Sequence, residues 1–126
     1  MAEAVSRRGD CSRRKIGAVI VDGDRRIQAT GYNGTVSGVR GCLSGACPRA
    51  TSNVAPGTDY DTGNGFCIAL HAESNALLYS SRDQRLGSTM YVTDGPCSGC
   101  LKLIIGSGLK KVVWRTMSGS MRYMTI

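Results

Sequence analysis

The sequence predicts an α/β fold, a mixed sheet with helices packed on it. Two observations carry that reading. Near the N-terminus a short β-branched run is followed by a turn signal and a second short strand. In the second half, two stretches of helix-forming residues each lead into a short apolar strand, the alternation expected of layered sheet-and-helix architectures.

The elements follow in order. Met1–Arg8 reads as a helix with Ala2, Ala4 and Val5 as its apolar residues, and Gly9 can stop it. Ile16–Val21 is a buried strand, Asp22-Gly23-Asp24 a hairpin turn, and Arg26–Thr30 the returning strand. From Gly31 to Gly65 periodicity vanishes. Eight of the 17 glycines fall in those 35 residues, with Pro48 and Pro56. A loop of that length inside a compact domain is functional or pinned by something. Ile68 to about Ser81 has the composition of a helix, with Ala69, Leu70, Ala72, Ala76, Leu77 and Leu78. Thr89–Thr93 is a strand broken by Asp94-Gly95-Pro96. Cys97–Ser107 is a helix, Lys111–Arg115 a strand, and Met121–Ile126 fits an edge strand. The whole of 1–126 is read as one domain, with 31–67 as its long Gly/Cys-rich loop.

Composition narrows the function. With 41% hydrophobic and 20% charged residues the chain is no disordered tail. No apolar run approaches the roughly 20 residues that cross a bilayer. The N-terminal MAEAVSRRGDC lacks the apolar stretch of a secretory signal, so a cytoplasmic location is expected. No period repeats. A single histidine, His71, excludes a His–His metal pair and an H-E-x-x-H protease. Six cysteines in a reducing compartment point to metal or catalysis more than to disulfides. The net charge of +7 fits either a phosphate-bearing partner or a solvated face.

Two pieces carry chemistry: His71-Ala72-Glu73 and Pro96-Cys97-Ser98-Gly99-Cys100, each at the start of an expected helix. Helix N-termini favour anionic groups and lower cysteine pKa values. Cys97 and Cys100 lie on one turn and can grip one ion, with His71 as third ligand from the neighbouring helix. Three ligands on a tetrahedral zinc leave one position for water, whose pKa the metal brings towards about 7. Glu73, two residues past the histidine, can reach that water and act as proton shuttle. Alone, a C-x-x-C also fits a redox pair or half a zinc ribbon. Together with H-A-E it resembles the zinc deaminase signature, H-x-E followed by P-C-x-x-C.

The resemblance extends further. Cys11-Ser12-Arg13-Arg14-Lys15-Ile16-Gly17-Ala18-Val19-Ile20-Val21, Thr30-Gly31-Tyr32-Asn33-Gly34, His71-Ala72-Glu73-Ser74-Asn75-Ala76-Leu77 and Met90-Tyr91-Val92-Thr93, with the cysteine motif, are similar to the deoxycytidylate (dCMP) deaminase family. The resemblance implies a three-layer α/β/α cytidine deaminase-like fold with a five-stranded central sheet, shortened C-terminal elements, and a homo-oligomer, often a hexamer. It implies a nucleotide substrate, dCMP or a 5-substituted relative, deaminated hydrolytically to the uridylate and ammonia. The lack of a long apolar run speaks against a membrane partner, and the Gly31–Gly34 block speaks against a nucleic-acid partner that the +7 charge would suit. His71, Cys97 and Cys100 would hold the catalytic zinc, and Glu73 would move the protons. The Ala72 N–H would donate to the base carbonyl. Asn33 would contact sugar or base, against the alternative of a turn residue. Arg13 would meet the phosphate, with Arg14 and Lys15 as alternates.

Cys11, Cys42, Cys47 and Cys67 remain. The C-x₄-C spacing of Cys42 and Cys47 is compatible with zinc. The resemblance implies a second, structural zinc pinning the loop, with all four as its candidate ligands; small buried cysteines are the alternative. There are departures from the family. Thr35 follows Gly34, and Met117 and Ser118 stand where members often carry a base-stacking aromatic, which leaves Tyr123 as a substitute. The competing readings are a deaminase of another base (adenosine in tRNA, or a free purine) and a non-catalytic zinc-stabilised binding module.

Overall fold

The computed structural model describes residues 1–45, 47, 49 and 67–126. Its elements are helix α1 (Ala2–Ser6), strands β1 (Gly17–Val21) and β2 (Ile27–Tyr32), a 3₁₀ turn (Cys42–Ser44), helices α2 (Ala72–Leu78) and α3 (Arg82–Arg85), strand β3 (Thr89–Val92), helix α4 (Ser98–Gly106), and strands β4 (Lys111–Arg115) and β5 (Met121–Thr125). The five strands form one sheet in the order β2-β1-β3-β4-β5. Among the described residues the β3–β4 pair is parallel, and β1–β2, β1–β3 and β4–β5 are antiparallel. The sheet is therefore mixed, as expected, and the Met121–Thr125 segment supplies its fifth strand.

Register explains the layers. Ala18 pairs with Gly31 and Val92, Ile20 with Ala29 and Met90, and Val112 with Met90 and Met124. Alternation puts all of these on one face. They form the core together with Ala72 and Ala76 of α2 and Ile104 of α4. Gly17 and Tyr32 point to the other face, where a methyl on Gly17 would overlap the main chain of α1 at Ala2 and Ser6. Helices thus lie on both faces of the sheet, an α/β/α arrangement.

One local expectation changes, and two local features are added. The helix expected from Ile68 begins at Ala72, because Leu70 exchanges both main-chain hydrogen bonds with Gly34 at 2.8 and 3.0 Å. That bridge closes the base of the long loop and sets Asn33 beside His71. The β1–β2 turn falls at Asp22-Gly23-Asp24 as expected and extends to Arg25. Asp22 and Arg26 bound it, and Arg25 takes the left-handed conformation (φ 64°), so the turn is one residue longer than a two-residue hairpin. Helix α3 is not visible as an apolar period. It is a local capping box, in which Ser81 Oγ accepts from Gln84 N–H and Gln84 Oε1 accepts from Ser81 N–H.

Candidate metal and active site

His71 and Cys97 are the N-cap residues of α2 and α4, both with extended backbone (ψ 155° and 169°). Neither side chain caps its own helix. A Ser, Thr or Asp in either position would contribute about 1 kcal/mol as a cap. Here both side chains turn towards each other instead. His71 Nδ1 lies 3.2 Å from Cys100 Sγ and 3.4 Å from Cys97 Sγ, and the three ligand atoms lie within 4.8 Å of one another. Tetrahedral zinc with ordinary bond lengths separates nitrogen from sulfur by about 3.6 Å. The donor set and spacing therefore fit one such ion.

Glu73 strengthens the fit. It is 4% exposed, and its Oε1 is buried with no hydrogen-bond partner among the described residues. A buried carboxylate oxygen left without a donor is costly unless something else meets it. Burial, the largest cause, pushes its carboxyl above the ordinary carboxylate range, while its own main-chain N–H and His71 pull it back. Burial also raises the Cys100 thiol, with Glu73 adding to the effect. Ser74 Oγ lies 3.7 Å from Cys100 Sγ, a further polar contact on that sulfur.

These groups open into a cavity of about 410 Å³, large enough for a small ligand. Glu73, His71 and Cys97 line one part of it; Asn33, Arg13 and Arg14 line another. The profile of the cytidine and deoxycytidylate deaminase zinc-binding region matches residues 1–116. The chain belongs to this deaminase family.

Relatives and solved structures agree. The chain is 49% identical to the deoxycytidylate deaminase of Mycobacterium phage D29 over 115 residues, covering 90% of this chain and 88% of that one. It is 42% identical to the deoxycytidylate deaminase of Schizosaccharomyces pombe, covering 92% of this chain and 35% of that one. The structure of dCMP deaminase from cyanophage S-TIM5 in complex with dCMP and dUMP matches with a TM-score of 0.67 and 34% identity, covering 91% of this chain and 75% of that one.

In this deaminase the remaining candidate residues fall as follows. Asn33 is buried; its Oδ1 accepts from Ile16 N–H at 2.9 Å and its Nδ2 donates to Arg14 O at 2.7 Å. It is thus a clamp on the segment before β1 as well as a cavity residue. Ala72 is the first residue of α2 and fully buried. Its N–H belongs to the helix turn that has no intrahelical acceptor. Arg14 pairs with Asp94 at 3.2 Å, tying the same segment to the loop before Cys97. Lys15 is exposed and Arg13 reaches the cavity.

The loop cysteines are brought partly together. Cys47 and Cys67 sulfurs are 4.0 Å apart. Burial, with Cys47 and Cys11 adding to it, pushes Cys67 up to about 11. Cys11 Sγ accepts from the N–H groups of Arg13 and Arg14 at 3.4 and 3.5 Å. The side chain of Cys42 lies outside the described residues, as do positions 46, 48 and 50–66 of the loop.

The structure adds one residue and removes another. Arg49 is 4% exposed and lines the cavity. No sequence signal marks it, because it lies in the stretch without periodicity. Tyr123 pairs with Val113 on β4, so it projects from the face opposite Val112, α2 and α4, where Lys111 sits 5.2 Å from its ring. It cannot stand in for a base-stacking aromatic at the site.

Proposed function

We propose that this chain hydrolyses dCMP, or a 5-substituted relative, to the uridylate and ammonia. The observation that carries the reading is the buried Glu73 carboxylate, with no partner at Oε1 among the described residues, beside the His71, Cys97 and Cys100 donor set. The dCMP deaminases among its relatives, one of them solved with dCMP and dUMP, support the substrate.

Zinc held by His71, Cys97 and Cys100 would supply a Lewis acid that acidifies water near neutral pH. Glu73 accepts a proton as water attacks C4 and delivers it to N3 of the cytosine ring. It then carries the proton of the new C4 hydroxyl to the 4-amino nitrogen, C4=O forms as the C4–N bond breaks, and ammonia leaves. Buried beside the donor set, Glu73 is placed to hold a proton between these steps. The Ala72 N–H donates to the base carbonyl, Asn33 meets the sugar or base, and Arg13 with Arg49 neutralises the phosphate.

A second, structural zinc on Cys11, Cys42, Cys47 and Cys67 completes the reading. The 4.0 Å Cys47–Cys67 separation supports it, since two thiolates on one zinc stand about 3.8 Å apart. The single domain spans 1–126, with the loop pinned by that ion. Exposed Leu78 and Tyr79 at the end of α2, and Leu103 and Ile105 on α4, support assembly as a homo-oligomer. A thiolate-rich protein of this kind suits the reducing cytoplasm. Among the described residues no helix is long and apolar enough to cross a membrane.

The test is direct. Purified protein converts dCMP to dUMP, and Glu73→Ala keeps its metal while turnover falls at least about a thousandfold. Substantial turnover by that variant refutes the shuttle. Metal analysis returns two zinc ions per chain, and a value of one removes the loop site. In a substrate panel with dCMP, CMP, deoxycytidine, guanine and a tRNA anticodon stem, preference for either of the last two overturns the substrate.

A further inference from the structure

The ligand-bearing ends of α2 and α4 are described above; their far ends meet at one side chain. Arg85, half-buried on α3, donates from Nη1 to Leu77 O at 3.2 Å and Ser80 O at 2.6 Å, at the C-terminal end of α2. From Nε it donates to Ser107 O at 2.9 Å, the C-cap of α4. Ser80 Oγ, itself bonded to Leu77 O, adds a fourth contact at 3.2 Å. One guanidinium therefore adds a charged donor to carbonyls at the C-terminal ends of two helices, and it places a positive charge where both helix dipoles are negative.

From this we infer that Arg85 is a positioning residue for the metal centre. The inference rests on the reading of His71, Cys97 and Cys100 as ligands. The geometry is that of a lever. His71 lies about 9 Å along α2 from the clamp and Cys97 about 15 Å along α4. Rocking one helix against the other by about 5° would move the ligand atoms by about 1 Å over that length. A metal site tolerates errors of about 0.2 Å. At the near ends, neither N-cap side chain bonds its own helix. The near ends meet through His71 and Ser74 against Cys97 and Cys100, and the far ends are joined by Arg85, so the angle between the helices rests on core packing and on these two sets of contacts. Only a guanidinium has the fork that spans both helix ends; a lysine reaches one.

The experiment compares the parent with Arg85→Met, which keeps an apolar stem, and Arg85→Lys. Asp22→Ala, in the remote β1–β2 turn, serves as a control for general loss of stability. Three readouts are taken: zinc affinity by chelator competition, visible spectra of the Co²⁺-loaded proteins, and kcat against KM for dCMP. Arg85→Met is expected to lower zinc affinity and kcat about tenfold each, as loss of outer support for metal ligands does. The Co²⁺ thiolate bands should shift while KM stays within about twofold of the parent. Arg85→Lys should follow it, and decides the matter by the same readouts where the methionine variant does not fold. A lowered melting temperature like that of Asp22→Ala, with parental affinity, spectrum and kcat, overturns the inference. A parent that takes up Co²⁺ without thiolate bands overturns the ligand reading beneath it instead.

Discussion

Asn33 and Ile16 are joined by a hydrogen bond of 2.9 Å from the Ile16 N–H to the Asn33 side-chain oxygen. The same amide group donates to Arg14 O, so one side chain holds the chain on both sides of Lys15, directly after the cavity residue Arg13. Gly9 leaves room for it, since a methyl there would press on Asn33 Oδ1 at 2.5 Å. Asn33→Ala leaves a donor and an acceptor without partners. The expected cost is about 2 kcal/mol, read from urea denaturation midpoints. A change below about 0.5 kcal/mol would mean that water replaces the clamp.

Gly31 lets α2 approach β2. A methyl there would overlap the Ala72 carbonyl and the Ala76 amide, which are main-chain atoms and cannot swing aside. Gly31→Ala should destabilise the protein by about 1–3 kcal/mol and, by displacing Ala72 and its neighbours, weaken metal binding. Gly23→Ala is the matched control, because a methyl at Gly23 meets nothing within 4 Å. It should be neutral or slightly stabilising. Equal effects at the two glycines in thermal melts would refute the close-packing argument.

Arg13 and Arg49 divide the positive charge of the cavity differently. Arg13 is exposed at its mouth, whereas Arg49 is buried. Replacing Arg13 by Ala should raise KM for dCMP about tenfold and leave deoxycytidine turnover nearly unchanged, since a charge-assisted phosphate contact contributes about 1.5–3 kcal/mol. Arg49→Ala should also lower folding stability, because its side chain is packed. Parallel steady-state kinetics on the two substrates separate these effects. Equal losses on dCMP and deoxycytidine would move the phosphate contact elsewhere.

Asp22 gives the hairpin a pH dependence. Its carboxylate accepts from the N–H groups of Arg26 and Asp24, both at 2.9 Å, and from Gln28 at 2.7 Å. The Arg26 main-chain bond, the largest cause, holds its pKa below the ordinary value. A lowered carboxyl pKa stabilises the fold above the unfolded-state value of about 3.9, and the contribution is lost as pH falls through the lower folded value. Asp22→Ala should therefore melt below the parent at pH 6. The gap should close as the pH is taken below about 4. A gap independent of pH would assign the loss to the turn's shape and not to its charge.

Much of the molecule was legible because its signals are local. The strand Lys111–Arg115 has the bounds its apolar run predicts, and Ile16–Val21 differs by one residue. Strand alternation and helix composition depend only on near neighbours in the chain. The helix begins later than the Ile68 that its composition predicts, because Ala69 and Leu70 are good helix formers while the Gly34 bridge that claims Leu70 comes from 36 positions away. The hairpin turn at Asp22-Gly23-Asp24 stands where its residues predict, and only its extension to Arg25, which takes the left-handed angle, depends on how the two strands close.

By itself the sequence determined the donor chemistry: one imidazole, two thiols a helical turn apart and a carboxylate two positions from the imidazole. It could do so because residue type and spacing along one helix are written in the chain. Tertiary structure alone decided that His71 and Cys100 meet at 3.2 Å, that Arg49 borders the cavity, that Tyr123 faces away from it, and that Arg85 joins the far ends of two helices. Each of those depends on which faces pack together, and packing is settled by contacts between segments remote in sequence.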